Sequence, residues 1–199
     1  MWSEKLALIG SAYPYRVVCP APFFSAAILS RRPFSDARPP SCHVRGALAI
    51  AGVDFAGQTV DIASLHLKWP WPAKQAEQIG QMAAPLNTIG ETAILGGDFN
   101  ATPWSVTVRR VFTLSGMTRM ERVGPTWLQR YLPSALTPLG LPIDQIMTKG
   151  AVTVKTARRL DPVGSDHLPV LLEFSLQPPE PEPAVQTVDA GRAIPSAAP

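Results

Sequence analysis

Four places along this 199-residue chain set acid, amide or imidazole groups at the ends of apolar runs: His66, Asp98 with Asn100, Asp144, and Asp166 with His167. Carboxylates and imidazoles without a nucleophilic serine or cysteine motif favour metal-assisted hydrolysis over acyl-enzyme chemistry. Oxygen donors of this kind select magnesium, manganese or calcium rather than zinc. Each place also has an ordinary reading. His66 alone reads as a structural histidine, Asp144 between Ile143 and Gln145 as a half-exposed polar strand residue, and Asp166-His167 as a turn after Gly164-Ser165. Their recurrence at strand ends is what points to a site, because buried charges need partners.

The stretch Gly96-Gly97-Asp98-Phe99-Asn100-Ala101-Thr102-Pro103 carries the strongest signal. Thr92 to Leu95 read as a short apolar strand before it. Pro103 to Ser115 read as a helix after it, with Thr102 as N-cap and Pro103 at the first helical position. Asp98 and Asn100, two apart on an extended backbone, leave one face of the strand end, where the following helix N-terminus favours an anion such as phosphate. The competing expectation is a turn in which both side chains bond nearby backbone.

The elements that must position these groups alternate along the chain. Trp2 to Gly10 reads as an amphipathic helix, Tyr13 to Pro22 as a loop or edge segment, and Phe24 to Leu29 as a strand. Val44 to Val53 contains the apolar run Ala47 to Ala51, suited to a strand covered on both faces. Gly57 turns the chain into Thr59 to Leu67, which ends near His66. Ala73, Ala76, Ile79, Met82 and Leu86 follow at helical spacing, with Pro85 expected to kink or end that helix. Gly116 to Gly140 is irregular, Ile143 to Thr148 a strand carrying Asp144, and Val152 to Ala157 and Leu168 to Leu176 are further strands. Residues 1–176 form one domain, and the Pro- and Ala-rich residues 177–199 read as a disordered tail. Strands separated by helices predict a layered α/β sandwich.

Composition narrows the partners. With 46% hydrophobic and 17% charged residues the chain is globular and rather charge-poor, and its net charge of +3 falls short of a nucleic-acid-binding signature. The two cysteines, Cys19 and Cys42, are too few for a disulfide framework or a structural zinc site; free thiols are the default, and a single bridge stays open. No apolar run reaches membrane-spanning length and no signal peptide is evident, so the cytoplasm is the default location.

In this order and at these intervals, His66, Gly96-Gly97-Asp98-Phe99-Asn100, Pro142-Ile143-Asp144-Gln145-Ile146 and Gly164-Ser165-Asp166-His167-Leu168-Pro169 resemble the endonuclease/exonuclease/phosphatase superfamily, the deoxyribonuclease-I-like fold. Gly124-Pro125-Thr126-Trp127 resembles a further element of its bacterial members. The resemblance implies a four-layer sandwich, with two packed, mostly antiparallel sheets flanked by helices. It implies divalent-metal-dependent hydrolysis, with Mg2+ or Mn2+, of a phosphoester substrate: a nucleic acid, a phosphorylated small molecule or a phospholipid head group. Asp98 would deprotonate the attacking water and Asn100 would hold that water and a phosphate oxygen. His167, oriented by Asp144, would contact the scissile phosphate. His66 would hydrogen-bond the phosphate or the leaving oxygen, and Asp166 would bind the metal. Members also open with a strand carrying an Asn and a second strand ending in a metal-binding Glu, both ahead of the region matching Trp2 to Tyr15. The resemblance therefore implies a chain lacking the first strands and impaired in catalysis. The alternative is a non-catalytic family remnant or an interaction module.

Overall fold

A computed structural model describes residues 8–20, 24–72, 74–127 and 140–178. The Trp2 to Gly10 helix falls almost wholly outside these residues, as does the proposed tail from residue 179 onward. Ten strands and two α-helices are present among the described residues: β1 (Tyr15–Val18), β2 (Ala27–Ser30), β3 (Ser41–His43), β4 (Leu48–Phe55), β5 (Gln58–His66), α1 (Gln75–Asn87), β6 (Ala93–Asp98), α2 (Val106–Leu114), β7 (Arg119–Glu121), β8 (Asp144–Lys149), β9 (Val152–Arg159) and β10 (Val170–Leu176).

Six strands form a mixed sheet in the order β3-β4-β5-β6-β8-β7. Its one parallel pair is β5 with β6, joined by α1 as a β-α-β crossover. The others are antiparallel. One face of this sheet packs on the helices. Ala63 and Leu65 of β5 and Ala93 and Leu95 of β6 meet Ile79, Met82 and Leu86 of α1 and Val108 and Val111 of α2 in the main core. The opposite face, through Ala49 and Ala51, meets Cys19, Ala26 and Ile28 around the β1-β2 ribbon in a second apolar cluster. The second layer is thus two antiparallel ribbons, β1-β2 and β9-β10, rather than one continuous sheet. This is an α/β sandwich, with β4 buried over most of its length as its apolar run required.

Three local expectations change. Pro85 sits inside α1, whose hydrogen-bonded turns end two residues later at Asn87. The buried face of α1 begins with Gln75 and Gln78, while Ala76 lies exposed. The second helix starts at Val106, capped by Ser105, whose hydroxyl accepts from the Val108 amide at 3.1 Å. Thr102 and Pro103 instead open a turn closed by Ser105 N–H to the Thr102 carbonyl at 2.9 Å, with proline in its favoured second position.

Cys19 and Cys42 form a disulfide with Cα atoms 5.5 Å apart. The free-thiol expectation fails because sheet packing brings together residues 23 apart in sequence. Cys42 lies on β3 opposite Ala49 of β4, and the buried Cys19 follows β1, its amide bound to the Ala26 carbonyl. The bridge fastens the small ribbon to the edge of the large sheet. No helix among the described residues is long and apolar enough to cross a membrane.

Candidate active site

Register alone aligns three of the expected groups. His66 of β5 lies beside Asp98 of β6, and Asp98 lies opposite Asp144 of β8, so three neighbouring strands end in a row of imidazole, carboxylate and carboxylate. Close approach of β6 to β5 depends on Gly97. Its φ is +144°, and a Cβ there would lie 1.9 Å from the Leu65 carbonyl oxygen. Only glycine tolerates both conditions.

His167 joins from the β9-β10 connection. That connection is held by bridges between Trp127 and both Leu141 and His167, and by the Leu168 amide on the Thr126 carbonyl at 2.8 Å. His167 Nδ1 lies 2.9 Å from Asp144 Oδ2, and its Nε2 lies 3.8 Å from Asp98 Oδ2. His66 Nε2 faces the same Asp98 oxygen at 3.5 Å from the other side. One carboxylate oxygen is therefore flanked by two imidazoles, and the second acid fixes one of them.

Asn100 plays a different part from Asp98. It is 4% exposed, and its Nδ2 donates to the Leu67 carbonyl at 2.7 Å and to Asp98 Oδ2 at 3.2 Å. Its backbone N–H donates to Asp98 Oδ1 at 2.8 Å, with φ at +45°. The turn reading of Asp98 and Asn100 is therefore realised within the site itself. Asn100 orients the acid and keeps its own amide away from solvent. Asp166 is exposed, its nearest side-chain partner being the Ser165 hydroxyl at 3.5 Å, and it stands outside the close group.

Four polar residues not singled out for the site in the sequence brace it. Gln75 Nε2 donates to the carbonyls of Lys68 at 2.5 Å and Phe99 at 3.0 Å, and its Oε1 accepts from the Thr107 hydroxyl at 2.7 Å. It thereby ties the chain leaving His66 to the chain leaving Asp98. Gln78 accepts from the Lys68 amide at 2.8 Å. Gln145 donates to the carbonyls of Ala101 and Pro142, at 3.0 and 2.7 Å. Thr126, fully buried, accepts the Asp144 amide at 3.2 Å, which gives the Gly124-Pro125-Thr126-Trp127 element a positioning role. No residue type alone signals these glutamines; their burial on helix and strand faces read as apolar is the only clue.

Electrostatics follow from this packing. Burial is the largest influence on Asp98 and raises its pKa above 3.8; the Asn100 amide opposes it, the charge of Asp144 reinforces it, and both imidazoles oppose it. The hydrogen bond to Asp144 is the largest influence on His167 and raises its pKa above 6.5, with desolvation opposing and the charges of Asp144, Asp98 and Asp166 adding. Donor atoms of Asp98, Asp144 and His167 all lie within 4.8 Å of one another. Two carboxylates that repel each other, with an open side toward solvent, fit a hard divalent cation that brings waters of its own. The cation would relieve the repulsion that now raises Asp98.

The pattern of the Endonuclease/Exonuclease/phosphatase family matches residues 2–167. A comparison with curated protein sequences gives no match. Among solved structures, the fold is similar to a 3′ phosphatase, NExo, from Neisseria bound to a product DNA hairpin, at 18% identity and a TM-score of 0.62 over 88% of this chain and 83% of that one. It is similar to a humanized TDP2 from D. rerio, at 19% identity and a TM-score of 0.62 over 87% and 81%. It is also similar to a beta toxin from Staphylococcus aureus with bound magnesium ions, at 13% identity and a TM-score of 0.56 over 84% and 80%. At such identities the likenesses speak to the fold, whereas the match over residues 2–167 speaks to descent: the chain belongs to the Endonuclease/Exonuclease/phosphatase family.

Proposed function

We propose that this chain hydrolyses phosphoesters by attack of a water on phosphorus, with Asp98 as the base. The observation that carries the reading is the single Asp98 Oδ2 flanked by His66 and His167, with Asp144 behind His167. Family membership supports the reaction class, and a phosphatase with product DNA among the similar folds is consistent with it.

The water's oxygen bonds to phosphorus as the ester P–O bond breaks, and one water proton passes to Asp98 Oδ2. Asn100 holds that oxygen in place from beneath by its amide. His167, bound through Nδ1 to Asp144, presents Nε2 as an N–H donor to the phosphoryl oxygens, and Asp144 stabilises its charged form. His66 donates from the opposite side to the departing oxygen. A divalent cation, magnesium or manganese, would be held by Asp98 and Asp144, with a further oxygen from Asp166 at the rim, and would neutralise negative charge gathering on the phosphoryl group. The beta toxin of similar fold holds magnesium, which supports the choice of ion.

The test is release of p-nitrophenolate from bis(p-nitrophenyl) phosphate with magnesium or manganese, and its loss in EDTA. Equal rates with and without EDTA would remove the cation from the proposal. No release with either ion, from this or any phosphomonoester, would leave the chain as an interaction module.

A further inference from the structure

A hollow of about 400 Å3 opens beside Asp144, on the side away from His66. Asp144 and Gln145 line it together with Pro103, Trp104, Arg122 and Glu121 among others, and its surface is mainly apolar. The turn from Thr102 to Ser105 places Trp104 here 69% exposed, an unusual position for the largest apolar side chain. Trp69, by contrast, packs edge-on against Trp127 at 6.0 Å, and neither it nor Trp71 lines the hollow. Arg122 is exposed and makes no hydrogen bond or ion pair with another of the described residues, whereas its neighbour Glu121 is engaged by Arg119.

We propose that this hollow seats a planar aromatic ring carried on one ester arm of the substrate, stacked against Trp104, with Arg122 attracting the anionic phosphate. The inference rests on the hydrolase reading and adds a substrate class to it. Three features select a flat ring over an acyl chain. The indole of Trp104 is a flat face suited to stacking, and the ring of Pro103 adds apolar surface beside it in the lining. The volume is near the lower end of ligand pockets, about 300–1,000 Å3, enough for one ring system and too little for paired acyl chains. A guanidinium and an indole lining one hollow suit a ligand that is both aromatic and anionic. A nucleobase and a simple aryl group share this chemistry.

The test is equilibrium binding of three phosphonates, whose P–C bond resists hydrolysis, to the magnesium-loaded full chain by calorimetry: thymidine 5′-phosphonate, phenylphosphonate and cyclohexylphosphonate. Both aromatic ligands should bind about 10-fold more tightly than the cyclohexyl one. Trp104→Ala should close that gap while leaving cyclohexylphosphonate affinity unchanged; a side chain this exposed can be removed without unfolding the protein. Arg122→Ala should weaken all three by a common factor. A thymidine preference over phenyl assigns the hollow to nucleotides, and equal affinities assign it to aryl esters generally. No aromatic preference, or one that survives Trp104→Ala, overturns the proposal. A Trp104-dependent preference in a protein that cleaves no phosphoester keeps the hollow and removes the hydrolase reading. Cleavage without that preference does the reverse.

Discussion

Replacing Gln75 with leucine tests whether the strand ends bearing His66 and Asp98 are held together by one buried amide. Leucine is close in volume, so the change removes hydrogen bonds without opening a large cavity. Three bonds disappear: to the Lys68 carbonyl, to the Phe99 carbonyl and from the Thr107 hydroxyl. The Phe99 bond is buried, whereas the other two are partly so and regain water in part. A buried polar group left unsatisfied costs about 1–3 kcal/mol, and a partly exposed one less, so the sum is about 2–4 kcal/mol. Against a typical stability of about 5–15 kcal/mol the variant stays folded. Urea unfolding followed by tryptophan fluorescence reads the loss as a lower midpoint at unchanged slope. Gln78→Leu, which removes only the bond to the Lys68 amide, is the internal comparison and should cost less. A Gln75→Leu midpoint indistinguishable from wild type, or no lower than that of Gln78→Leu, would refute the reasoning.

Reducing Cys19–Cys42, or replacing both with alanine, frees a closed loop of 23 residues' separation and should destabilise the fold by about 3 kcal/mol, read as a urea midpoint shift on adding reductant. An unmoved midpoint would show that the ribbon needs no fastening. Asp144→Asn removes the largest influence raising His167, so an NMR titration in EDTA should find its pKa lower than in wild type. The sign for stability follows: raised above its unfolded value, His167 contributes stability that is full below about pH 6.5 and is lost as pH rises through its folded value. Asp144→Asn should flatten that dependence. Activity in wild type should need Asp98 ionised and His167 protonated, giving a bell-shaped pH profile whose alkaline limb follows His167. An alkaline limb unchanged in Asp144→Asn would contradict the pairing.

Much of the site was legible because a strand end is a local property. The apolar runs before His66 and Asp98 stop at those residues and Asp144 opens its own strand, so parallel pairing of β5 with β6 and antiparallel pairing of β6 with β8 put the three side by side. His167 was legible only through motif order, since its approach depends on Trp127 and Thr126 pairing far along the chain. The glutamine braces were invisible for a physical reason. An amide is buried only where carbonyls from other segments meet it, and no helical period reports that, so Ala76 looked like core and Gln75 did not. The Thr102 cap failed for a similar reason: Thr102-Pro103 suits a helix start and a turn equally, and the available Ser105 hydroxyl decides for the turn. Cysteine pairing lies wholly in the tertiary contact of the two sheets.

The central claim is that the carboxylate of Asp98 takes the proton of the attacking water. Asp98→Asn keeps the side-chain shape and one of the two hydrogen bonds from Asn100 while removing the base, so the most direct measurement is its turnover of bis(p-nitrophenyl) phosphate with magnesium beside wild type, with circular dichroism confirming the fold. The account predicts a fall of about 100-fold or more. Turnover within a few-fold of wild type would contradict it.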